Sequence, residues 1–419
     1  MSVAWLSVAA LVATIAVSCT SRLNVGLLAI ALAWLLGVYI APSQGLDIGA
    51  RGVIAGFPAE LFVTLLGVTL LFTLAQVNGT LEQVAAGAVG CCRGSAAWVS
   101  PMFFVLAAVL STVGAGNIAA AALVAPMAAA VVVRMGISPL VMVIMVGHGA
   151  IAGGLSPFSP MGIIASNLLE KMALSGHEWR IYGYNFAANA IVAAGGYLLL
   201  KGWRSTPRDG GQASEIDTAP KPESFEKAHS ATLTVIGLLI VAVVGFGAHV
   251  GLASFAAASV LIAGRLAEER DAFRRLPWGV MVMVCGMTML VAIVEKTGGL
   301  ELFTNLLASL ATERTLVPLI AWVTGVISVF SSTSGVVLPT FLPTATGLVQ
   351  RLGGDPLAVA TAISIGSSIV DVSPVSTIGA LCIAPLSSVE ERVRLFRSVL
   401  AWGLSMSLVG ALVCWALLA

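Results

Sequence analysis

Two stretches of the chain share one pattern: residues 149–162 read GAIAGGLSPFSPMG, and residues 366–379 read GSSIVDVSPVSTIG. They lie 217 positions apart and match at both outer glycines and at Ser-Pro-x-Ser. Pro and Gly stop a helix and leave carbonyl and N–H groups without partners. Apolar sequence flanks both stretches, so each predicts a membrane helix that is broken at depth. Such backbone persists only where protein or a water-filled cavity surrounds it.

The same offset aligns residues 111–165 with residues 328–382 without a gap, and the identical pairs include Pro126 with Pro343. An offset of 219 continues the match upstream. Many of the matched residues are Pro, Gly, Ser and Arg, which two unrelated apolar sequences would not share by composition alone. We interpret the match as an internal duplication.

Each half predicts the same series: three membrane spans, an amphipathic stretch, an apolar segment interrupted by small polar residues, a broken span and a last span. The first half places them at about 3–19, 23–41, 58–77, 80–92, 97–133, 139–170 and 185–201, and the second at about 230–247, 249–265, 277–295, 299–311, 315–350, 356–386 and 398–418. The interrupted segments are too long for one straight helix, which predicts re-entrant hairpins. Five crossings per half is an odd number, so the second half is expected to insert upside down.

The predicted fold is therefore an all-α membrane protein with two inverted repeats of five transmembrane helices. Each repeat has a re-entrant hairpin and a discontinuous helix. The repeats are residues 1–201 and 229–419, joined by the polar linker 202–228. Counting basic residues places fifteen of 21 on the side of the linker, which predicts a cytoplasmic linker and both termini outside a cell inner (plasma) membrane.

Composition supports a lipid environment. Of the 419 residues, 58% are hydrophobic and 10% are charged, whereas about a quarter of the residues in a soluble domain are charged. The net charge of +1 gives no reason to expect nucleic acid. The six cysteines show no CxxC spacing, so no resident metal or other cofactor is expected.

The chemistry is expected in four polar segments, which we call tip 1 (residues 111–117), loop 1 (residues 153–162), tip 2 (residues 328–335) and loop 2 (residues 370–379). Freed carbonyls and hydroxyl oxygens suit a hard monovalent cation. Half-helix N-termini offer N–H groups and a positive dipole end, which suit a carboxylate. Ser and Thr in membrane helices also bond simply to their own helix, so each single hydroxyl has that alternative.

Asp371 is the one acidic residue of these segments, and Gly154 occupies its position in the first repeat. An intramembrane carboxylate is costly and indicates function. It could bind Na⁺, carry a proton, or cap the following half-helix. His148, one turn before loop 1, is more often a packed helix histidine than a coupling group.

At these residues the chain resembles the ion transporter superfamily, and within it the divalent anion/sodium symporter branch. The stretch Leu23-Asn24-Val25-Gly26-Leu27-Leu28-Ala29 through Ile40-Ala41-Pro42 is similar to the start of MatC-type malonate and dicarboxylate carriers. The resemblance implies a small organic dianion as substrate, Na⁺ or H⁺ as the coupling ion, and a homodimer. In this family each hairpin tip carries Ser-Asn-Thr. Neither tip of this chain has the complete motif.

The resemblance, carried over to the matching positions of the tips and loops, implies two overlapping sets of binding residues. The substrate is expected at Asn117, Ser156, Ser159, Thr333, Ser334, Ser373, Ser376 and Thr377. The cation is expected at Ser111, Thr112, Gly116, Asn117, Gly154, Ser332, Thr333, Ser334 and Asp371.

The expected function is a secondary active transporter of small dicarboxylates such as malonate, succinate or malate, coupled to Na⁺ and working by alternating access. The alternative is a cation/proton antiporter or an inorganic-anion exporter of the same superfamily. An enzyme is not expected, because His177-Glu178 lacks the second His of a zinc helix and the chain has no Walker A run.

Overall fold

A computed structural model describes residues 2–21, 23–84, 96–135, 137–200, 226–385 and 389–418 of the protein. Within these ranges all regular structure is helical. The helices of the first half are Val3–Thr20, Val25–Trp34 with a π-helical extension Leu35–Ile40, Gly49–Ile54, Ala59–Val77, Ala96–Leu110, Gly116–Met135, Pro139–Gly154, Pro160–Lys171 and Glu178–Leu199. Those of the second half are Lys227–Phe246, Val250–Ala263, Glu269–Arg275, Trp278–Lys296, Gly299–Ala308, Leu316–Phe330, Leu338–Phe341, Ala345–Leu352, Pro356–Ser368, Thr377–Ile383 and Val389–Leu418.

Apolar helices identify a multi-pass membrane protein. In the described part of the chain, five segments are long and apolar enough to cross a bilayer, namely Val3–Thr20, Ala59–Val77, Ala97–Ala129, Trp278–Lys296 and Arg394–Leu418. Shorter apolar helices lie between them. The predicted all-helical membrane architecture is confirmed at this level.

Both interrupted segments break where the sequence predicts. In the first, π-helical residues Ser111–Ala115 separate two helices, and Gly114 and Gly116 have φ of +132° and +82°. These values favour glycine, and a side chain at Gly114 would overlap the ring of Phe72. In the second, residues 331–337 separate Leu316–Phe330 from Leu338–Phe341 without a positive φ at glycine.

Each broken span packs against the interrupted segment that precedes it. Pro139–Gly154 packs between Ala96–Leu110 and Gly116–Met135. Pro356–Ser368 likewise contacts Leu316–Phe330 and Ala345–Leu352. These contacts bring each loop to its tip.

Helices of the two halves also cross at glycines in reciprocal pairs. Gly26 and Gly286 meet where Val25–Trp34 crosses Trp278–Lys296, and a Cβ on either one would overlap the backbone of the other helix. Gly67 and Gly251 meet in the same way where Ala59–Val77 crosses Val250–Ala263. Small residues permit such close approach of membrane helices. The equivalent third and second spans of opposite halves are thus held together at matched points.

Several predicted boundaries were wrong. The last helices begin at Glu178 and Val389, earlier than the predicted residues 185 and 398. Charged residues end a hydropathy-based span, but the helix continues through them beyond the apolar layer. The short helices Gly49–Ile54 and Glu269–Arg275 were not predicted. Most of the linker 202–228 and residues 85–92 of the amphipathic stretch lie outside the described residues.

Candidate functional site

Two half-sites follow from the packing of each loop on its tip. Half-site 1 consists of tip 1 and loop 1, and half-site 2 of tip 2 and loop 2. In half-site 1, Ser156 Oγ donates a hydrogen bond to the carbonyl of Thr112 at 2.7 Å. In half-site 2, the hydroxyl of Thr333 lies 2.8 Å from Asp371 Oδ1. Residues predicted from four separate sequence segments therefore do meet in pairs.

The two loops share one backbone conformation. The N–H of Ser159 donates to the carbonyl of Ser156 at 2.8 Å, and the equivalent bond from Ser376 to Ser373 measures 2.9 Å. The next equivalent pair joins the N–H of Phe158 to Ser156 Oγ at 3.3 Å, and that of Val375 to Ser373 Oγ at 3.4 Å. The matched sequence thus produces matched loops.

Half-site 2 encloses a carboxylate in hydroxyl groups. Asp371 is 7% exposed, and Ser328 Oγ lies 3.4 Å from the same Oδ1 that Thr333 contacts. Ser328 and Thr333 also bond to each other at 2.5 Å. Among the described residues, no Lys, Arg or His forms an ion pair with Asp371. A buried carboxylate is costly unless a cation or proton compensates its charge.

Half-site 1 contains hydroxyls without partners. Ser111 Oγ and Ser159 Oγ are fully buried and make no hydrogen bond within the described residues. Asn117 Oδ1 accepts from the N–H of Ile118 at 3.0 Å, and its Nδ2 lies 4.0 Å from the sulfur of Met161. Buried hydroxyls are normally satisfied. This half-site therefore offers donors to a ligand.

Several predicted site residues serve the local backbone. Ser332 Oγ accepts from the N–H of Gly335 at 3.1 Å. Ser376 Oγ donates to the carbonyl of Asp371 and accepts from the N–H of Gly379 at 3.4 Å, capping the half-helix Thr377–Ile383. The side chains of Ser334 and Thr377 are half-buried and exposed, respectively. The Ser332 and Ser376 side chains therefore stabilise the local backbone.

Other contacting residues were not assigned to the substrate or the cation set, although Ser328 and Ser331 lie in tip 2. Ser328 contacts Asp371 directly, and its identity with Ser111 across the repeat was the signal that could have identified it. Tyr182 hydrogen-bonds to Thr112 Oγ1 at 3.0 Å. Ser331 bonds to Ser18 at 2.8 Å and so connects tip 2 to the first helix. No local pattern predicts the last two contacts.

Asn185 joins the two broken helices. Its Nδ2 donates to the carbonyl of Ile151 at 2.9 Å, just before loop 1. Its Oδ1 accepts from Ser368 Oγ at 2.8 Å, just before loop 2. The offset of 217 aligns Ile151 with Ser368, so Asn185 bridges matching positions of the two broken helices.

A buried chain of hydrogen bonds extends from Asn185 to His148. Asn189 Nδ2 donates to the carbonyl of Asn185 at 2.9 Å, and Asn189 Oδ1 lies 2.9 Å from His148 Nδ1. Trp402 Nε1 donates to His148 Nε2 at 3.0 Å. Because the indole N–H can only donate, Nε2 accepts and the proton of the neutral ring is on Nδ1. His148 is thus a buried, hydrogen-bonded histidine, which was the favoured interpretation.

A cavity of about 500 Å³ borders loop 1. Pro157 and Phe158 of the loop line it, together with the acidic residues Glu60, Glu170 and Glu178.

Solved structures of two membrane transporters share the fold. The YdaH transporter from Alcanivorax borkumensis is 16% identical, with 98% of this chain and 97% of that chain covered and a TM-score of 0.59. Neisseria gonorrhoeae MtrF, described within a class of antimetabolite efflux pumps, is 15% identical over 93% of both chains with a TM-score of 0.56.

The family comparison is more specific. The profile of the dicarboxylate carrier protein MatC N-terminus matches residues 1–154. The predicted resemblance to MatC-type carriers is thereby confirmed over that part of the chain. No curated protein sequence matches the chain significantly.

Proposed function

We propose that the protein is a secondary active transporter of small dicarboxylates of the malonate or C4 type, coupled to Na⁺. The observation that carries this proposal is Asp371, a buried carboxylate among hydroxyls with no cationic partner in the described structure. It lies in a fold of membrane transporters, and the match to the dicarboxylate carrier family supports the substrate class. A carrier of this kind performs no covalent chemistry on its substrate.

The proposed architecture is the pair of inverted repeats, residues 1–201 and 229–419, with the cytoplasmic linker 202–228 and both termini outside the inner membrane. The reciprocal glycine crossings and the equivalent loops support the duplication. The inversion follows from the odd number of crossings that the sequence predicts for each repeat. The interrupted segments would enter and leave on one side as re-entrant hairpins. The homodimer rests on the family resemblance.

Substrate and cation would bind together between the tips and loops. In half-site 1, Ser111, Ser159 and Asn117 have polar atoms available to a ligand. In half-site 2, Thr333 and Asp371 provide the oxygen atoms that a hard cation prefers. Backbone groups of loop 1 and loop 2 would complete the two half-sites.

Coupling follows from charge. Moving an ionised, unpaired Asp371 through an apolar barrier is costly. A bound Na⁺ neutralises the carboxylate and so lowers the barrier for the unit that carries both half-sites. That unit would move against a static part formed by the first three spans of each repeat.

Uptake into proteoliposomes tests the proposal. Labelled malonate or succinate is expected to accumulate with an inward Na⁺ gradient and not when K⁺ replaces Na⁺. Absence of uptake together with Na⁺-driven proton movement, followed by a pH dye, would instead favour the antiporter alternative. Uptake of sulfate or phosphate alone would favour the inorganic-anion alternative.

A further inference from the structure

The two half-sites differ at two equivalent positions that face each other. In half-site 2, Thr333 of the tip contacts Asp371 of the loop at 2.8 Å. The duplication places Gly116 at the position of Thr333 and Gly154 at that of Asp371. Half-site 1 therefore lacks both the carboxylate and the hydroxyl that contacts it.

The third member of this group is retained in both halves. Ser328 lies 3.4 Å from the Asp371 carboxylate, and the equivalent Ser111 is buried without any partner in the described residues. The lack of a partner for Ser111 has a direct cause, because the two groups that Ser328 contacts are glycines in the first half. A hydroxyl retained without its acceptor indicates that the acceptor comes from outside the chain.

A side-chain carbon fits at Gly154 without overlap. A Cβ built there would have no neighbour closer than 3.4 Å, and the nearest atoms are the Met161 methyl and the Asn117 side chain. Asn117 Nδ2 would lie 3.6 Å from that Cβ. Ser159 Oγ, the second buried hydroxyl without a partner, lies beside Gly116. Asn117 thus lies beside the place that corresponds to the Asp371 side chain, and Ser159 lies beside the place that corresponds to the Thr333 side chain.

We infer that one carboxylate of the substrate binds in half-site 1, in the place that the Asp371 side chain fills in half-site 2. Half-site 2 already contains a carboxylate of the chain and takes the cation rather than a second substrate carboxylate. One carboxylate is consequently enough for binding, and the remainder of the substrate is recognised less strictly. This inference rests on the proposed transport function and specifies which part of the substrate the site recognises.

The first test supplies the missing carboxylate from the chain. Purified Gly154→Asp is expected to lose the stabilisation by succinate in thermal unfolding, while stabilisation by Na⁺ persists. Gly183→Asp is the matched control, since it adds the same carboxylate at an exposed glycine outside the half-sites, where a Cβ has no neighbour within 4 Å; it is expected to keep the response to succinate. A full succinate response in Gly154→Asp would overturn the inference.

The second test removes one carboxylate from the ligand. Succinate and its monoamide are compared as competitors of labelled succinate in wild-type protein. The monoamide is expected to bind within about tenfold of succinate, since only one carboxylate is held by the site. A loss of about a hundredfold or more would mean that both half-sites bind a carboxylate, because hydrogen bonds to charged groups contribute that much.

The third test exchanges the roles of the half-sites. Asp371→Gly opens half-site 2, where Ser328 and Thr333 remain, so formate is expected to restore its thermal stability and Na⁺ response, and formamide is not. No effect of formate would contradict the equivalence of the two places. If wild-type protein shows no Na⁺-dependent uptake but Gly154→Asp abolishes its stabilisation by succinate, the proposed transport function fails and the inference holds.

Discussion

Half-site 1 and half-site 2 have the same loop backbone but opposite electrostatic character. Half-site 2 contains an acceptor, Asp371, whose contacts are hydroxyls. Half-site 1 contains donors, Ser111 and Ser159, that have no acceptor in the described structure. The two loops thus share a geometry, while two aligned residue pairs differ in chemistry. This difference is the basis for proposing a cation at half-site 2 and a carboxylate at half-site 1.

The strongest way to break this contrast is to neutralise half-site 2. Asp371→Asn is expected to reduce Na⁺-driven accumulation of succinate by about a hundredfold, because the amide keeps the size but cannot compensate a cation. Uptake in proteoliposomes at several Na⁺ concentrations measures the effect.

Asp355→Asn is the matched control for that variant. Asp355 caps the N-terminus of Pro356–Ser368, the helix that precedes loop 2. Its side chain is exposed and lies outside the half-sites. Wild-type Na⁺ dependence in Asp371→Asn would leave Asp371 with a capping role only.

The link between the half-sites is the next target. Asn185→Ala removes the amide that donates to the carbonyls of Ile151 and Ala152 and the acceptor of the 2.8 Å bond from Ser368, and is expected to destabilise the protein by about 3 kcal/mol. Ser368→Ala removes one of these bonds and should cost less. Thermal unfolding in detergent measures the loss of stability in each variant.

Ser364→Ala serves as the control, because Ser364 is buried on the same helix but donates only to its own helix, at the carbonyl of Ala360. Equal unfolding temperatures for Ser364→Ala and Asn185→Ala would show that Asn185 does not join the broken helices.

Equivalent serines provide a prediction of opposite sign. Ser111→Ala is expected to stabilise the ligand-free protein by about 1 kcal/mol, since it removes a buried hydroxyl that has no partner. Ser328→Ala should destabilise it by a similar amount, since it removes a bond to Thr333 and a contact with Asp371. Unfolding curves without ligand decide this, and changes of the same sign in both variants would refute the contrast.

The smallest expected effect concerns tip 1. Tyr182→Phe removes the hydrogen bond to Thr112 and should cost about 1 kcal/mol of stability with little change at half-site 2. Tyr184→Phe is the neighbouring control, because the Tyr184 hydroxyl makes no hydrogen bond in the described structure. Identical unfolding temperatures for the two variants would assign no role to the Thr112 contact.

Much of the fold could be predicted because its signals are local. Hydropathy located the spans, and Pro and Gly located the breaks at tips and loops. The offset of 217 residues pairs Ser111 with Ser328 and Gly154 with Asp371 from the sequence alone. Hydropathy does not assign the start of the last helices, because an apolar run ends at the first charged residues whereas the backbone hydrogen bonds of the helix continue through them.

The sequence by itself determined the repeated order of helices, the four polar segments and the single carboxylate among them, because helix breaking and apolar length depend on neighbours along the chain. Only the tertiary structure decided that Thr333 and Ser328 contact Asp371 and that Ser111 and Ser159 have no hydrogen-bond partner among the described residues. It alone decided that Asn185 joins Ile151 to Ser368. Those contacts depend on which distant helices pack together. Because the residues are buried away from water, each polar group either has a partner in the chain or is left available to a ligand.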